Sequence, residues 1–209
     1  MTARGSVVDL RKQIGAYSAR RGRFELIEVP PLNYLMIDGQ GDPNTARRYQ
    51  EAIATLYPVA YRLKFFSKRE FGCDHEIMPL EALWWADDLA AFTHRRNKSQ
   101  WRWTVMIMLP DWILPAHVDA ARTALAGKAP LSDAVRVERL DERLAIQTLH
   151  VGPYDDEGPV LERMHRDIGE QGLRMTGRHH EVYLNDARRT APERLRTILR
   201  QPVVREHAG

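Results

Sequence analysis

Three polar side chains alternate along a short segment near the C-terminus, where together they could act on a small molecule. His179, Glu181 and Tyr183 are each separated by one residue, and Val182 and Leu184 occupy the positions between and after them. Because side chains alternate between the two faces of a strand, this segment predicts an apolar face toward a core and a polar face carrying an acid between an imidazole and a phenol. A ligand pocket and a solvated strand surface both fit this pattern.

A second carboxylate, Glu157, lies at the predicted start of a helix. It follows the run that begins at Gly152 and precedes Gly158 and Pro159, and proline is favoured at the first helical position. The positive end of a helix dipole stabilises an anion there, so this electrostatic effect and a catalytic role both explain the residue. Two carboxylates in contrasting environments are a common acid–base arrangement.

Tryptophans are concentrated in two predicted strands. Trp84 and Trp85 are adjacent, so one indole points to each face of its strand, whereas Trp101 and Trp103 share a face. They either line a wall for planar ligands or fill the core, and we expect core filling for roughly half of the tryptophans.

The composition is that of an ordinary globular protein. The chain has 209 residues, of which 44% are hydrophobic and 28% charged, enough for a sizeable core. Its net charge of +3 is scattered, so neither a nucleic acid nor a membrane is an expected partner. The lone Cys73 excludes an internal disulfide and fits a cytoplasmic location. The histidines follow no metal-binding spacing, so we expect neither a metal nor another cofactor.

The order of predicted elements repeats along the chain. A helix over 6–20 precedes two halves, at about 24–126 and 132–205, and each half contains a strand, a Gly-rich turn, a helix and two strands. We therefore predict an α+β fold made of a duplicated β-α-β-β module with pseudo-two-fold symmetry. Its antiparallel sheet carries the helices, and a pocket lies between the repeats. Residues 1–209 would then form a single domain, either a monomer or a homodimer.

The segment 179–203 resembles the C-terminal signature of the GyrI-like small-molecule-binding family. Four further stretches are similar to one subgroup of it: YPVAYRLKF at 57–65, PLEALWW at 79–85, WRWTVMIMLP at 101–110 and HVGPYDDE at 150–157. The resemblance covers nearly the whole chain from Phe24 onward. It implies the tandem SHS2 fold, which agrees with the repeat described above.

The resemblance also implies a function. GyrI-like proteins bind amphipathic, often cationic or aromatic compounds, as ligand domains of transcription regulators or as stand-alone proteins. A stand-alone subgroup hydrolyses cyclopropanoid compounds, which protects the cell. Since the predicted N-terminal helix is too short for a helix-turn-helix motif, we expect a stand-alone protein of this kind, acting in detoxification and drug resistance.

Glutamates and a tyrosine at matching positions are implicated in that subgroup, so the resemblance assigns Glu157, Glu181 and Tyr183 as catalytic residues, with either glutamate as the base. The expected substrate-binding side chains are aromatic residues and a histidine: Trp85, Trp101, Trp103, Tyr154 and His179. The alternative is a non-catalytic protein that binds or sequesters amphipathic cations, with Glu181 as the counter-ion.

Overall fold

A computed structural model of the protein describes residues 7–86 and 98–206. The helices in these ranges are α1 (Leu10–Gln13), α2 (Arg47–Phe71), α3 (Pro115–Thr123) and α4 (Gly158–Glu170). The strands in the first half are β1 (Glu25–Val29), β2 (Leu32–Gln40), β3 (Leu80–Trp85) and β4 (Arg102–Leu109). Those in the second half are β5 (Arg136–Leu140), β6 (Arg143–Val151), β7 (Leu173–Met175), β8 (His179–Tyr183) and β9 (Arg196–Arg205).

The strands form one antiparallel sheet in the order β1-β6-β9-β8-β3-β4-β2-β5, and β7 pairs with β9. The two halves meet at its centre, where β3 pairs with β8 and Ala82 lies opposite Glu181. From this seam outward, each half presents its strands in the same order, as pseudo-two-fold symmetry requires. The predicted α+β fold with a duplicated module is confirmed.

The first strand of each half is exchanged, which the predicted β-α-β-β order did not include. β1 pairs with β6 of the second half, with Leu26 opposite Ile146, while β5 pairs with β2 of the first half. The sequence predicted a single strand before the Gly-rich turn of the second half, but the chain forms two strands there, β5 and β6. It turns between them, where Arg143 takes a positive φ of 56°. Each repeat thus receives an edge strand from the other, and the two repeats depend on each other for folding.

The two long helices pack on the face of the sheet that carries Trp84 and Trp103. α2 buries Leu56 and Leu63 in the main apolar cluster, and each such side chain contributes about 1.5–3 kcal/mol. α2 ends where Gly72 adopts the left-handed conformation (φ 68°). α4 packs in a second cluster with β6 and β9. No helix in the described ranges combines the length and the apolar character that crossing a membrane requires.

The predicted helix over 6–20 is wrong for the residues that the structure describes. Only α1 and a 3-10 turn over Gly15–Tyr17 are helical, because Ile14 between them is extended (φ −102°, ψ 107°). Tertiary contacts override helix propensity here: the carbonyl oxygens of Ala16 and Ser18 accept hydrogen bonds from Arg200 and Gln147 of the sheet. Residue 6, the predicted start of this helix, lies outside the described residues.

Candidate functional site

The polar face of β8 lies at a largely buried position beside the seam between the repeats. The side chains of Glu181 and His179 are 12% and 15% exposed, so this face is not a solvated strand surface. On the other face of the strand, His180 and Val182 are fully buried. The alternation read from the sequence thus places one acid and its flanking polar groups together on the helix-covered side of the sheet.

A chain of hydrogen bonds fixes the acid on β8. Trp84 Nε1 donates to the hydroxyl of Tyr183 at 3.2 Å, and that hydroxyl donates to Glu181 Oε2 at 2.6 Å. His179 Nε2 lies 3.5 Å from the other carboxylate oxygen. The β3–β8 register explains the arrangement, since it places the small Ala82 opposite Glu181 and leaves room for the larger side chains beside it. The carboxylate and the phenol therefore have defined orientations.

Two more phenols contact this group from the helical layer. Tyr49 of α2 stacks on Trp84 with ring centroids 5.9 Å apart and meets Trp103 edge-on at 5.0 Å. Tyr154, just before α4, meets the Tyr183 ring edge-on at 5.5 Å. Each repeat thus supplies aromatic rings to one place, at geometries that favour aromatic pairs.

The second carboxylate, Glu157, belongs to the same group. It is the residue at the start of α4 and is only 5% exposed. Its charge acts on both Tyr154 and Tyr183. We call these side chains the aromatic–carboxylate cluster: Tyr49, Trp84, Tyr154, Glu157, Glu181 and Tyr183.

The three phenols of the cluster hold their protons strongly. Burial, followed by the charges of Glu157 and Glu181, raises the pKa of Tyr154 to about 12. Burial and the neighbouring Glu181 raise the pKa of Tyr183 well above its usual value, and the same causes raise that of Tyr49. At neutral pH all three hydroxyls therefore keep their protons and can donate hydrogen bonds, as that of Tyr183 does to Glu181.

Two of the predicted ligand-binding tryptophans lie next to the cluster but differ in accessibility. Trp103 is fully buried and donates from Nε1 to the carbonyl of Gly41 at 3.3 Å. Its ring passes over Gly39, where an added Cβ would lie 2.0 Å from the indole. Trp103 therefore packs against the cluster from within the core and supports its rings. Trp101 is only partly buried and meets Trp84 edge-on at 5.6 Å.

Trp85, also predicted to bind the ligand, is not part of the cluster. It follows Trp84 in β3 and so points to the opposite face of the sheet, where the guanidinium of Arg178 lies 3.6 Å from the centre of its ring. The sheet separates Trp85 from Glu181.

Sequence reasoning missed Tyr49 and Trp84 as site residues. Tyr49 follows helical spacing with apolar residues and was not expected at the site. Trp84 was considered for a wall that binds planar ligands but was not among the expected substrate-binding residues. Pairing Trp84 with Trp103 in the β3–β4 register would have indicated that both lie on the side of Glu181. No three His, Cys, Asp or Glu side chains in residues 7–86 and 98–206 are arranged as metal ligands.

A buried ionic network holds the reverse face of the strand that carries Glu181. His180 lies between two carboxylates, with Nε2 2.9 Å from Glu81 and Nδ1 3.0 Å from Glu142. Arg200 of β9 donates to Glu142 at 3.0 Å. Because these partners come from β3, β9 and the turn after β5, the network fixes β8 relative to both repeats and thereby positions the cluster.

The match to known proteins extends over most of the chain. A family model for the GyrI-like small-molecule-binding domain matches residues 23–204. A crystal structure of an uncharacterized conserved protein from Listeria innocua is 34% identical, with a TM-score of 0.84, and the match covers 94% of this chain and 100% of that one.

A second crystal structure from Listeria innocua is described as that of a hydrolase. It is 33% identical, with a TM-score of 0.81, over 94% of this chain and 100% of its own. The C-terminal domain of EcmrR, at 12% identity, shares the fold with a TM-score of 0.54 over 88% of this chain and 98% of its own. A search of the curated proteins finds no match.

Proposed function

This chain belongs to the GyrI-like small-molecule-binding family, and we propose that its aromatic–carboxylate cluster binds aromatic or amphipathic xenobiotics and hydrolyses strained electrophilic rings such as those of cyclopropanoids. The observation that carries this proposal is that two largely buried carboxylates act on one phenol: Glu181 accepts the hydrogen bond of Tyr183 at 2.6 Å, and the charge of Glu157 adds to burial in raising the pKa of Tyr183. A relative that is 33% identical and is described as a hydrolase supports it. Opening of such a ring removes the electrophile and would protect the cell.

The bound substrate is a planar ring system with a cyclopropane conjugated to a carbonyl group. Trp101, Tyr154 and Tyr183 offer ring faces and edges on which the planar part packs, and such pairs contribute about 0.5–1.5 kcal/mol each beyond area burial. Packing against these side chains directs the reactive ring carbon toward the two carboxylates.

In the reaction, a water oxygen forms a bond to the cyclopropane carbon as one ring C–C bond breaks. The electron pair of that bond moves through the conjugated system to the carbonyl oxygen, which becomes a phenolate or enolate. A carboxylate accepts the proton of the water, and the oxyanion is protonated in turn, so the net change is the addition of one water. General-base catalysis of this kind contributes roughly 10²–10⁴-fold.

Glu157 is the base in this scheme, because the start of α4 favours its anionic form. Glu181, which accepts the 2.6 Å hydrogen bond from Tyr183, is the electrostatic anchor. The phenols of Tyr183 and Tyr154 keep their protons. Tyr154 donates to the developing oxyanion, and Tyr183 turns its one O–H from Glu181 to the oxyanion when the substrate is bound. One such donor is worth about 10²–10³-fold in rate.

The test is incubation of the protein with a duocarmycin-type compound that contains the cyclopropane, with the ring-opened product measured by chromatography. Wild type is expected to form product above the buffer rate, and Glu157→Gln to bind the compound with unchanged affinity and to form far less product. An unchanged rate in both Glu157→Gln and Glu181→Gln would remove the cluster from the mechanism.

A second candidate function is non-catalytic sequestration of an amphipathic cation. It is favoured by the position of the Glu181 carboxylate among the rings of Tyr183 and Trp84, where ion pairing and cation–π attraction act together. Binding requires one carboxylate, whereas hydrolysis benefits from two. Wild-type protein that binds the duocarmycin-type compound or a lipophilic cation without any turnover would support sequestration.

A further inference from the structure

A cavity of about 450 Å³ lies on the face of the sheet opposite the aromatic–carboxylate cluster. Leu83 and Trp85 of β3 line its floor, and the walls come from β2, β5, the turn after β5 and the turn before β8. This volume is within the range of roughly 300–1,000 Å³ that is usual for small-molecule sites. Nothing in the proposed hydrolytic mechanism uses it.

One contact in this cavity shows which chemical group its aromatic surface accepts. The guanidinium of Arg178 lies 3.6 Å from the centre of the Trp85 ring, a distance typical of a planar cation stacked on an indole. Arg178 is exposed and belongs to the turn that precedes β8, so its side chain can leave the ring without disturbing a core contact. Trp85 is therefore a binding surface for a planar cation that is occupied from within the chain.

Carboxylates dominate the remaining charged lining. The lining contains four carboxylates and two arginines: Asp38, Glu138, Asp141, Glu142, Arg136 and Arg178. Asp38 and Glu138 share Arg136, at 2.8 and 3.1 Å. Outside the lining residues, Arg143 pairs with Asp141 at 3.1 Å and Arg200 with Glu142 at 3.0 Å. When the side chain of Arg178 moves out, the lining itself keeps four carboxylates and one arginine.

One of these acids is held permanently ionised. Burial alone would raise the pKa of Glu142, but the neighbouring His180 and Arg200 lower it to about 2. Glu142 is thus an anion at every physiological pH, but its side chain is only 3% exposed and is paired with Arg200, so the more exposed carboxylates of the lining are the ones that reach a ligand.

We propose that this cavity is a second ligand site, for a small molecule that carries an amidinium or guanidinium group. The planar cation stacks on Trp85 in the place of Arg178, and its N–H groups donate to the surrounding carboxylates. Arg178 then acts as an internal competitor that weakens binding. Since the sheet lies between this site and the cluster, binding here is independent of the proposed hydrolysis.

The test is calorimetric titration of the full chain with benzamidine, whose neutral and anionic counterparts, benzamide and benzoate, serve as ligand controls. Removing the competitor with Arg178→Ala is expected to tighten benzamidine binding by about fivefold, the worth of one cation–π contact of moderate strength. Trp85→Leu is expected to weaken it by about tenfold. Arg174→Ala removes an exposed arginine of β7 that does not line the cavity; it is the matched control and should leave the affinity unchanged.

Benzamide is expected to bind at least about tenfold more weakly than benzamidine, because it lacks the charge that the carboxylates recognise. Arg178→Ala tests the site even if Trp85→Leu fails to fold, since Arg178 is exposed and a gain of affinity cannot arise from misfolding. Two results would overturn the proposal: benzamidine affinity that does not increase in Arg178→Ala, or affinity that increases equally in Arg174→Ala.

Discussion

Replacing Tyr183 by phenylalanine removes one hydroxyl that makes two hydrogen bonds. Glu181 loses the donor at 2.6 Å, and Trp84 Nε1 loses its acceptor at 3.2 Å. A hydrogen bond to a charged group is worth about 1.5–3 kcal/mol, and a buried polar group left without a partner costs about 1–3 kcal/mol. Because the Glu181 side chain is 12% exposed, water recovers part of the first loss.

The expected net loss for Tyr183→Phe is therefore about 1–3 kcal/mol in the free energy of unfolding. For a chain of this length that lowers the melting temperature by about 3–10 °C. Turnover of a cyclopropanoid should fall by about 10²-fold or more, since one donor to the oxyanion is lost. Thermal denaturation and product formation are measured on the same samples.

Tyr154→Phe is the matched control, because the contact of Tyr154 with Tyr183 is between the two rings. It should change the melting temperature by less than Tyr183→Phe does. If Tyr183→Phe melts within about 1 °C of wild type, the hydrogen-bond chain adds nothing to stability, and the orientation ascribed to Glu181 loses its physical basis.

Three further changes have defined outcomes. Glu181→Gln keeps an acceptor for its tyrosine partner and removes a partly buried charge, so the melting temperature should stay equal or rise while turnover or ligand affinity falls at least about tenfold. Gly39→Ala puts a Cβ 2.0 Å from the Trp103 ring and should lower the free energy of unfolding by about 3 kcal/mol. Gly169→Ala is its control, because an added Cβ there has no atom within 4 Å and should not destabilise the fold. Equal melting temperatures for the two variants would contradict this prediction. The pKa of Glu142 is lowered from 4.5 to about 2, so the ionised side chain stabilises the folded protein above pH 4.5, and this stabilisation is lost as the pH falls toward 2. A melting temperature that stays constant between pH 4.5 and 2 would contradict this prediction.

Local periodicity was enough to predict the part of the site that lies on one strand. The alternation of His179, Glu181 and Tyr183 depends only on strand geometry, and the structure shows the three side chains on one face. The duplication was also predictable, because each half repeats the same order of elements. The exchange of β1 and β5 was not, since nothing in a strand's own sequence says which edge it joins.

The buried ionic network shows the same limit of local reasoning. A charged residue in a strand usually indicates a solvated face, yet His180 and Arg200 are almost completely buried. Their burial is tolerated because β3, β8, β9 and the turn after β5 bring Glu81 and Glu142 to them. These pairings join residues distant in sequence, so only the tertiary structure reveals them. For Trp85, local reasoning failed in the other direction. Its aromatic side chain suggested a substrate-binding role, but its position in β3 places it on the face of the sheet opposite Glu181.

The most direct measurement is a single-turnover reaction of the protein with a duocarmycin-type compound in ¹⁸O-labelled water, followed by mass spectrometry of the ring-opened product. The proposed mechanism predicts product formed above the buffer rate, with ¹⁸O at the former ring carbon in the first turnover. It also predicts a loss of about 10²-fold or more in Glu157→Gln. Unlabelled oxygen in that first product would identify a carboxylate as the nucleophile, and a wild-type rate equal to buffer would contradict hydrolysis altogether.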